Sequence, residues 1–250
     1  MTRIVEAQKL NVEARTTAIS WTGGKDCNLS LLHAWREPSL RVTALVVFRP
    51  EGAVFKAHPL SFMQAQADSL QLPLIHAMLP KDPACYKLAY ADTIKKLHAD
   101  HGIETIVTGD MDLVGDQTRN FITECAEMAE IGVWLPLWQA GRLRCLETLI
   151  AEKFEVVFSC VKSPWFDGRW IGRSLSPEIV REMEQMALKP PEGSPDSKPL
   201  DLGGERGEYH TMCINGPLYH DRVTTQSTES NELIEQRGQK EGERWWTIGV

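Results

Sequence analysis

Three short stretches gather residue types that could do chemistry together. The first is Ser20-Trp21-Thr22-Gly23-Gly24-Lys25-Asp26-Cys27. Adjacent glycines let the backbone turn tightly and aim several N–H groups at one point. A helix opening just behind them adds the positive end of its dipole. Together these make an anion site, with Ser20, Thr22, Gly23, Gly24, Lys25, Asp26 and Cys27 within reach of a bound phosphate. The spacing is neither G-x-x-x-x-G-K-[ST] nor G-x-G-x-x-G. The plain alternative is a Gly-Gly turn without a ligand, Lys25 being a solvated residue at a helix start.

The second stretch is Gly109-Asp110, with Asp112 and Asp116 close by. Carboxylates placed there could hold Mg²⁺ bridging nucleotide phosphates. Asp110 could equally be a turn or N-cap aspartate ahead of the next helix, and that plainer role is the expected one for Asp112 and Asp116. The third is Leu202-Gly-Gly-Glu205-Arg-Gly-Glu208-Tyr209-His210-Thr211. Glu205 and Glu208 could bind an amine or ammonium, or accept protons, and His210 could transfer protons near neutral pH. Glu-rich loops are usually wet surface, but such a loop does not call for Tyr-His-Thr behind it.

The elements that must position these residues alternate. Thr17–Trp21 reads as a buried strand that stops at Gly-Gly. Cys27, Leu31, Ala34 and Trp35 then mark one face of a helix. Val42–Phe48 is a continuous apolar strand, Phe62–Leu70 a helix, and Leu74–Leu79 a strand opened by Pro73. Tyr86, Tyr90, Ile94 and Leu97 predict a long helix ending near Gly102. Thr105–Thr108 is a fourth strand and Gln117–Glu130 a helix. Apolar strands alternating with helices predict an α/β fold, a Rossmann-like parallel sheet covered by helices on both faces. Past Trp134 the rhythm loosens, with a helix over Leu146–Lys153 and a strand over Phe154–Val161. A Pro/Ser/Gly-rich loop is expected over Lys189–Lys198, and Asn215-Gly216 signals a hairpin within Met212–Tyr219. Thr224–Arg244 is polar, expected as a mobile stretch or surface helix, and Trp245–Ile248 as a closing strand.

Totals bound the function. The chain has 250 residues, enough for one large domain or two small ones, and a net charge of −7. That acidity argues against broad binding of naked nucleic acid. No run approaches the roughly 18 apolar residues that span a membrane, and Met1–Arg15 has no secretory core. The six cysteines form no C-x-x-C pair, which speaks against a zinc ribbon or dithiol site and for thiols in a reducing cytosol. A cytoplasmic protein with no membrane partner is expected.

The first stretch resembles the S-G-G-x-D-S loop of the ATP-pyrophosphatase, or PP-loop, superfamily, with Thr22 in place of the first serine and Cys27 in place of the last. A thiol is a weak donor, so one phosphate contact is expected to be weaker. Together with the third stretch, the chain resembles the diphthine–ammonia ligase family, whose second motif reads roughly G-E-x-G-E-[FY]-x-T. Gly109-Asp110, Leu135-Pro-Leu-Trp138 and Trp170-Ile-Gly172-Arg173 fit the same family in order, and the resemblance covers about residues 16–222. It implies a HUP-type ATP-binding domain over 1–132, a smaller α+β substrate-binding domain over 133–222, and a polar tail over 223–250. It further implies ATP and Mg²⁺ as cofactors, ammonium as nitrogen donor and a carboxylate substrate, in the characterised case diphthine on translation elongation factor 2. On that footing Gly109 and Asp110 serve the nucleotide, with Asp110 on the metal. Glu205, Glu208 and His210 are catalytic, and Arg173, Tyr209 and Thr211 bind substrate. Arg173 could instead pair with a nearby glutamate. His58, after the second strand, lies where some relatives place a histidine near the nucleotide, or is a surface loop residue. The expected reaction adenylates the carboxylate and passes it to ammonium, releasing AMP and pyrophosphate. A same-family ligase with another acceptor, tRNA thiolation or lysidine formation, and a non-catalytic nucleotide sensor are the alternatives.

Overall fold

The computed structural model describes residues 5–52, 58–81, 83–113, 115, 117–190, 199–224, 233–237 and 244–248. The chain divides into two compact units, the first of 1–22, 26–54 and 67–139, the second of 23–25, 55–66 and 140–250.

Strand β1 (Arg15–Ser20) leads into helix α1 (Lys25–Arg36), then β2 (Leu40–Pro50), α2 (Leu60–Leu70), β3 (Leu74–Leu79), α3 (Tyr86–His101), β4 (Thr105–Val107), α4 (Phe121–Met128) and β5 (Gly132–Trp134); all of this is in the first unit except Lys25 and the stretch of α2 up to Gln66, which fall in the second. The five strands form one sheet in the order β3-β2-β1-β4-β5, every pair parallel. Along β1 and β2, Ala18, Ala44 and Val46 point one way and join Ile94 and Leu97 of α3 and Ile122 and Cys125 of α4 in one core. Their strand neighbours Ile19, Leu45 and Val47 point the other way and are equally buried. Both faces are therefore covered, which is why these strands read as continuous apolar runs instead of alternating ones. The strand order reverses direction between β1 and β4, so the loops after these two strands flank the switch point at the carboxyl edge. That is where open α/β sheets bind ligands.

The second unit adds α5 (Arg142–Ala151), β6 (Glu155–Lys162), a 3₁₀ turn at Gly168–Trp170, α6 (Pro177–Leu188), β7 (Tyr209–Asn215), β8 (Leu233–Arg237) and β9 (Arg244–Ile248). Its strands form an antiparallel sheet in the order β7-β6-β9-β8. Phe158, Phe166, Trp170 and Tyr209 stack edge-on or tilted on one another at 4.8–6.2 Å. This buried aromatic cluster seats the start of β7.

Several expectations give way here. A boundary at 132 would cut β5 from the sheet it extends through β4, and the first unit runs to Gln139. Residues 223–250 are not simply a polar tail, because β8 and β9 complete the second sheet. Asn215-Gly216 makes no hairpin. β7 ends at Asn215, and Tyr219 N donates back to Gly216 O. Pro217 has no N–H to continue a ladder. Helix α4 begins at Phe121, not Gln117, because the Asn120 side chain accepts from Thr123 N and caps it there. The loop expected over Lys189–Lys198 lies almost wholly outside the described residues, as does Asp116.

Candidate nucleotide site

In the first unit the loop after β1 stays in register for one more residue, Trp21 N donating to Val46 O at 2.8 Å. Thr22 is exposed and donates its hydroxyl to Cys27 Sγ at 3.7 Å; Asn28 Nδ2 approaches the same sulfur at 3.9 Å. Cys27 is 4% exposed, so this thiol packs at the helix start more than it presents itself. Ser20 and Asp26 are half-buried on either side. Gly109, after β4, touches the start of α1 so closely that a Cβ built on it would lie 2.7 Å from Asp26 C and 2.8 Å from Cys27 N. The two carboxyl-edge loops therefore meet backbone to backbone, and only glycine fits. Asp110 beside it accepts from Thr108 Oγ1 at 3.0 Å and from Asn120 Nδ2 at 2.6 Å. Its carboxylate is thus tied to the N-cap of α4 without being that cap itself. Asp112 accepts from the adjoining Leu113 N, a local turn contact.

In the second unit, Gly23, Gly24 and Lys25 lie against β7. Cys213 N donates to Gly23 O at 3.0 Å, and Gln66 Nε2 donates to both Gly23 O (2.9 Å) and Cys213 O (2.7 Å). Gly23 has φ +81°, and a Cβ there would meet Gln66 Oε1 at 2.7 Å. Gly24 gives Thr211 O room at 3.2 Å from where its Cβ would be. Lys25 N, the first helical amide of α1, donates to Thr211 Oγ1 at 3.1 Å. The Lys25 ammonium, 5% exposed, donates to Gly203 O and sits 5.3 Å from the centre of the Tyr209 ring. Lys25 is no solvated surface residue.

The second motif is a tight loop with its own bracing. Glu208, 6% exposed, accepts from Asp201 N at 3.1 Å and from Arg206 N at 3.0 Å, one to each carboxylate oxygen. Tyr209 OH donates to Leu202 O, Gly203 N donates to Asp201 Oδ1, and Arg142 pairs with Asp201 at 3.4 Å. Gly204 takes φ +75°, and the Tyr209 ring would stand 3.0 Å from a Cβ there, so both backbone and space call for glycine. Glu205 is half-buried and His210 exposed. His58 Nε2 donates to Thr211 O at 2.7 Å, and a carbonyl only accepts, so the proton is on Nε2 and Nδ1 is the lone-pair nitrogen. Its ring meets that of His210 edge-on at 5.8 Å. Burial above all, then the charge on His210, pushes the His58 pKa down to about 4, with the Thr211 carbonyl opposing and Lys25 adding to the fall. His58 is therefore a neutral donor at neutral pH.

The structure thus joins Gly23, Gly24 and Lys25 to Tyr209 and Thr211, and adds two residues. His58 stood only as a loose candidate. Gln66 was missed, although its place on the apolar stripe Phe62, Met63, Ala67 and Leu70 of α2 is itself a signal: a polar side chain, 0% exposed, among buried ones. Arg173 is held elsewhere, both guanidinium arms on Glu182 and the plane 4.3 Å from the Trp170 ring centre. The fork that would bind an anion is filled by a carboxylate of its own chain.

Backbone amides, a buried ammonium and a hydroxyl at a helix start fit phosphate oxygens. For Mg²⁺ the fit is thinner. Among the described residues no group of three His, Cys, Asp or Glu is placed to hold a metal. Asp110 could give one carboxylate, so phosphates and water would supply the remaining ligands, the usual manner for this ion.

Residues 15–130 match the family described as diphthamide synthase N-terminal domain, and residues 143–247 that described as diphthamide synthase C-terminal domain. No curated protein matches the chain. Among solved structures it is similar to one described as a predicted subunit of tRNA methyltransferase from Methanocaldococcus jannaschii, at 15% identity and a TM-score of 0.40, covering 84% of this chain and 100% of that one. No helix among the described residues is long and apolar enough to cross a membrane.

Proposed function

We propose, for a chain that belongs to the diphthamide synthase family, an ATP-dependent ligase that joins a carboxylate to ammonium with release of AMP and pyrophosphate, diphthine on elongation factor 2 being the substrate. The observation that carries this reading is the Lys25 cluster. A buried ammonium and the first amide of α1 lie together where the first motif's glycines and the second motif's Tyr209 and Thr211 meet. A cation kept at 5% exposure beside a helix start suits a ligand of high negative charge.

The bound nucleotide would turn a poor electrophile, the carboxylate, into one with a good leaving group. The chain's own part is to hold and to orient. Gly23 and Gly24 let the backbone amides face inward, and Lys25 offsets charge on the departing pyrophosphate. Ser20, Thr22 and Asp26 border that loop, and Cys27 offers it only a weak donor. Gly109 braces the helix start, and Asp110 is the carboxylate assigned to Mg²⁺. Glu208 is committed to two backbone amides and shapes the motif. Glu205, half-buried in the same loop, is the group assigned to strip a proton from ammonium, and the exposed His210 the one to pass protons to solvent. Tyr209 and Thr211 are the residues of this motif that close on Lys25, Tyr209 being the one assigned to the substrate.

The test is pyrophosphate release by the purified chain with Mg-ATP and diphthine-bearing elongation factor 2, with and without ammonium. The expected result is release of AMP and pyrophosphate that rises with ammonium. Binding of ATP without any release would leave a nucleotide sensor. Release that needs ammonium but ignores the elongation factor would mean another carboxylate.

A further inference from the structure

Thr211 stands in the second motif, yet its hydroxyl faces the first. It is 4% exposed. Its Oγ1 accepts from Lys25 N at 3.1 Å, and its carbonyl accepts from His58 Nε2 at 2.7 Å. A hydroxyl accepts and also donates one proton. Among the described residues that proton is given to no acceptor: in the hydroxyl's one hydrogen bond, from Lys25 N, it is the acceptor. Buried hydroxyl protons nearly always find an acceptor, so one left over beside a helix start points to an acceptor that arrives from outside.

We propose that Thr211 is a phosphate ligand. Its hydroxyl caps the first amide of α1 and donates its own proton to an oxygen of the nucleotide's pyrophosphate moiety, so that the second motif supplies the phosphate loop's last donor. The proposal rests on the reading of this loop as a nucleotide site and deepens it.

Three features hold the hydroxyl at that place. His58 Nε2 fixes the Thr211 carbonyl. Gly24, having no side chain, lets that carbonyl approach to 3.2 Å from its would-be Cβ, with Thr211 Oγ1 at 3.7 Å. Gln66 and Cys213 pin Gly23 to the next position of β7. Charge-assisted hydrogen bonds from a hydroxyl to an anionic oxygen are among the stronger polar contacts.

Calorimetric titration of the full chain with Mg-pyrophosphate, Mg-ATP and AMP tests this, alongside melting curves of the ligand-free protein. Thr211→Val keeps the shape and loses the hydroxyl. It should weaken pyrophosphate and ATP by about tenfold or more, while AMP, lacking the pyrophosphate, changes by less than about twofold. Thr211→Ser should bind all three within about threefold of the wild type. If Thr211→Val fails to fold, Thr211→Cys, with a weak donor, should show the same ordering of pyrophosphate over AMP. Unchanged pyrophosphate affinity in the valine variant overturns the proposal. So does equal weakening of AMP and pyrophosphate, which would mean a distorted loop and no direct contact. A wild type that binds neither ATP nor pyrophosphate would reject the nucleotide reading itself, whereas normal wild-type binding with an indifferent valine variant rejects only the role of Thr211.

Discussion

Gly109→Ala puts a methyl group where the backbone of α1 already stands. Gly109 has no positive φ, so alanine meets no torsional penalty there, and crowding is the whole effect. The new Cβ would lie 2.7 Å from Asp26 C and 2.8 Å from Cys27 N. Ordinary contact begins near 3.4 Å, so one backbone must retreat by about 0.7 Å. Neither neighbour is a flexible side-chain tip, so the retreat falls on the start of α1 itself. Overpacking of this kind costs about 1–3 kcal/mol, and glycine-to-alanine replacement returns about 0.4–1 kcal/mol by restricting the unfolded chain. A net loss of about 1–2 kcal/mol lowers the melting temperature by about 2–8 °C in a chain of this size. The effect on ligand should be out of proportion, because displacing loop amides by most of an ångström weakens binding by about tenfold to a hundredfold. Gly102→Ala is the control. Gly102, the C-cap of α3, has φ +66° and nothing within 4 Å of its would-be Cβ. It should cost about 1 kcal/mol of stability through strain alone and leave ATP affinity as it was. Melting by calorimetry and titration with Mg-ATP read both quantities. A Gly109→Ala protein with wild-type melting and wild-type affinity would refute the claim that the loop after β4 sets the position of the phosphate loop.

Glu208→Gln leaves one of the amides of Asp201 and Arg206 without an acceptor, so it should lower the melting temperature, at a cost of about 1–3 kcal/mol; unchanged melting with lost turnover would show that Glu208 serves chemistry instead. Glu205→Gln should keep ATP affinity in calorimetry and lose ammonium-dependent pyrophosphate release, and retained release removes Glu205 from the mechanism. His58 binds its proton more weakly folded, near pH 4, than unfolded, near pH 6.5. As the pH falls through that window the unfolded chain is protonated first and the folded state loses stability. His58→Gln should therefore narrow the gap in melting temperature between pH 7 and pH 4, and an equal gap in both proteins would contradict a neutral His58.

The parallel sheet was legible because burial on both faces makes runs such as Ala44–Phe48 of β2 apolar without a break, and such runs stand out. β5 escaped notice since three residues, Gly132–Trp134, carry no periodicity, and its place is set by hydrogen bonds to β4. β8 escaped for the opposite reason. It is an edge strand with exposed Ile234 and Glu235, and polar composition at an edge reads as loop. The strand–Gly-Gly–helix junction at Ser20–Lys25 was legible because its glycines and helix start are neighbours in sequence. Its partners were not, because Thr211 is 186 residues from Lys25 and Gln66 is 43 from Gly23. Contacts at that separation are settled by packing, and no local pattern announces which residues will meet.

The second motif shows why a motif's chemical look and its chemical work can part. Its two carboxylates read alike in sequence, but burial separates them. Glu208, sealed at 6% exposure, is engaged by a backbone donor on each oxygen and so holds the loop's shape. Glu205 lies half-buried between two glycine turns at Gly204 and Gly207. The glycines also let the loop double back so that Tyr209 OH reaches Leu202 O and the ring covers the Lys25 ammonium. Motif composition therefore divides into a frame (Gly204, Gly207, Glu208, Tyr209) and a more exposed part (Glu205, His210), with Thr211 turned to Gly24 and Lys25. A framing carboxylate tolerates loss of catalysis but not loss of folding; a reacting one behaves the other way round. The same substitution at the two glutamates should consequently produce opposite pairs of effects.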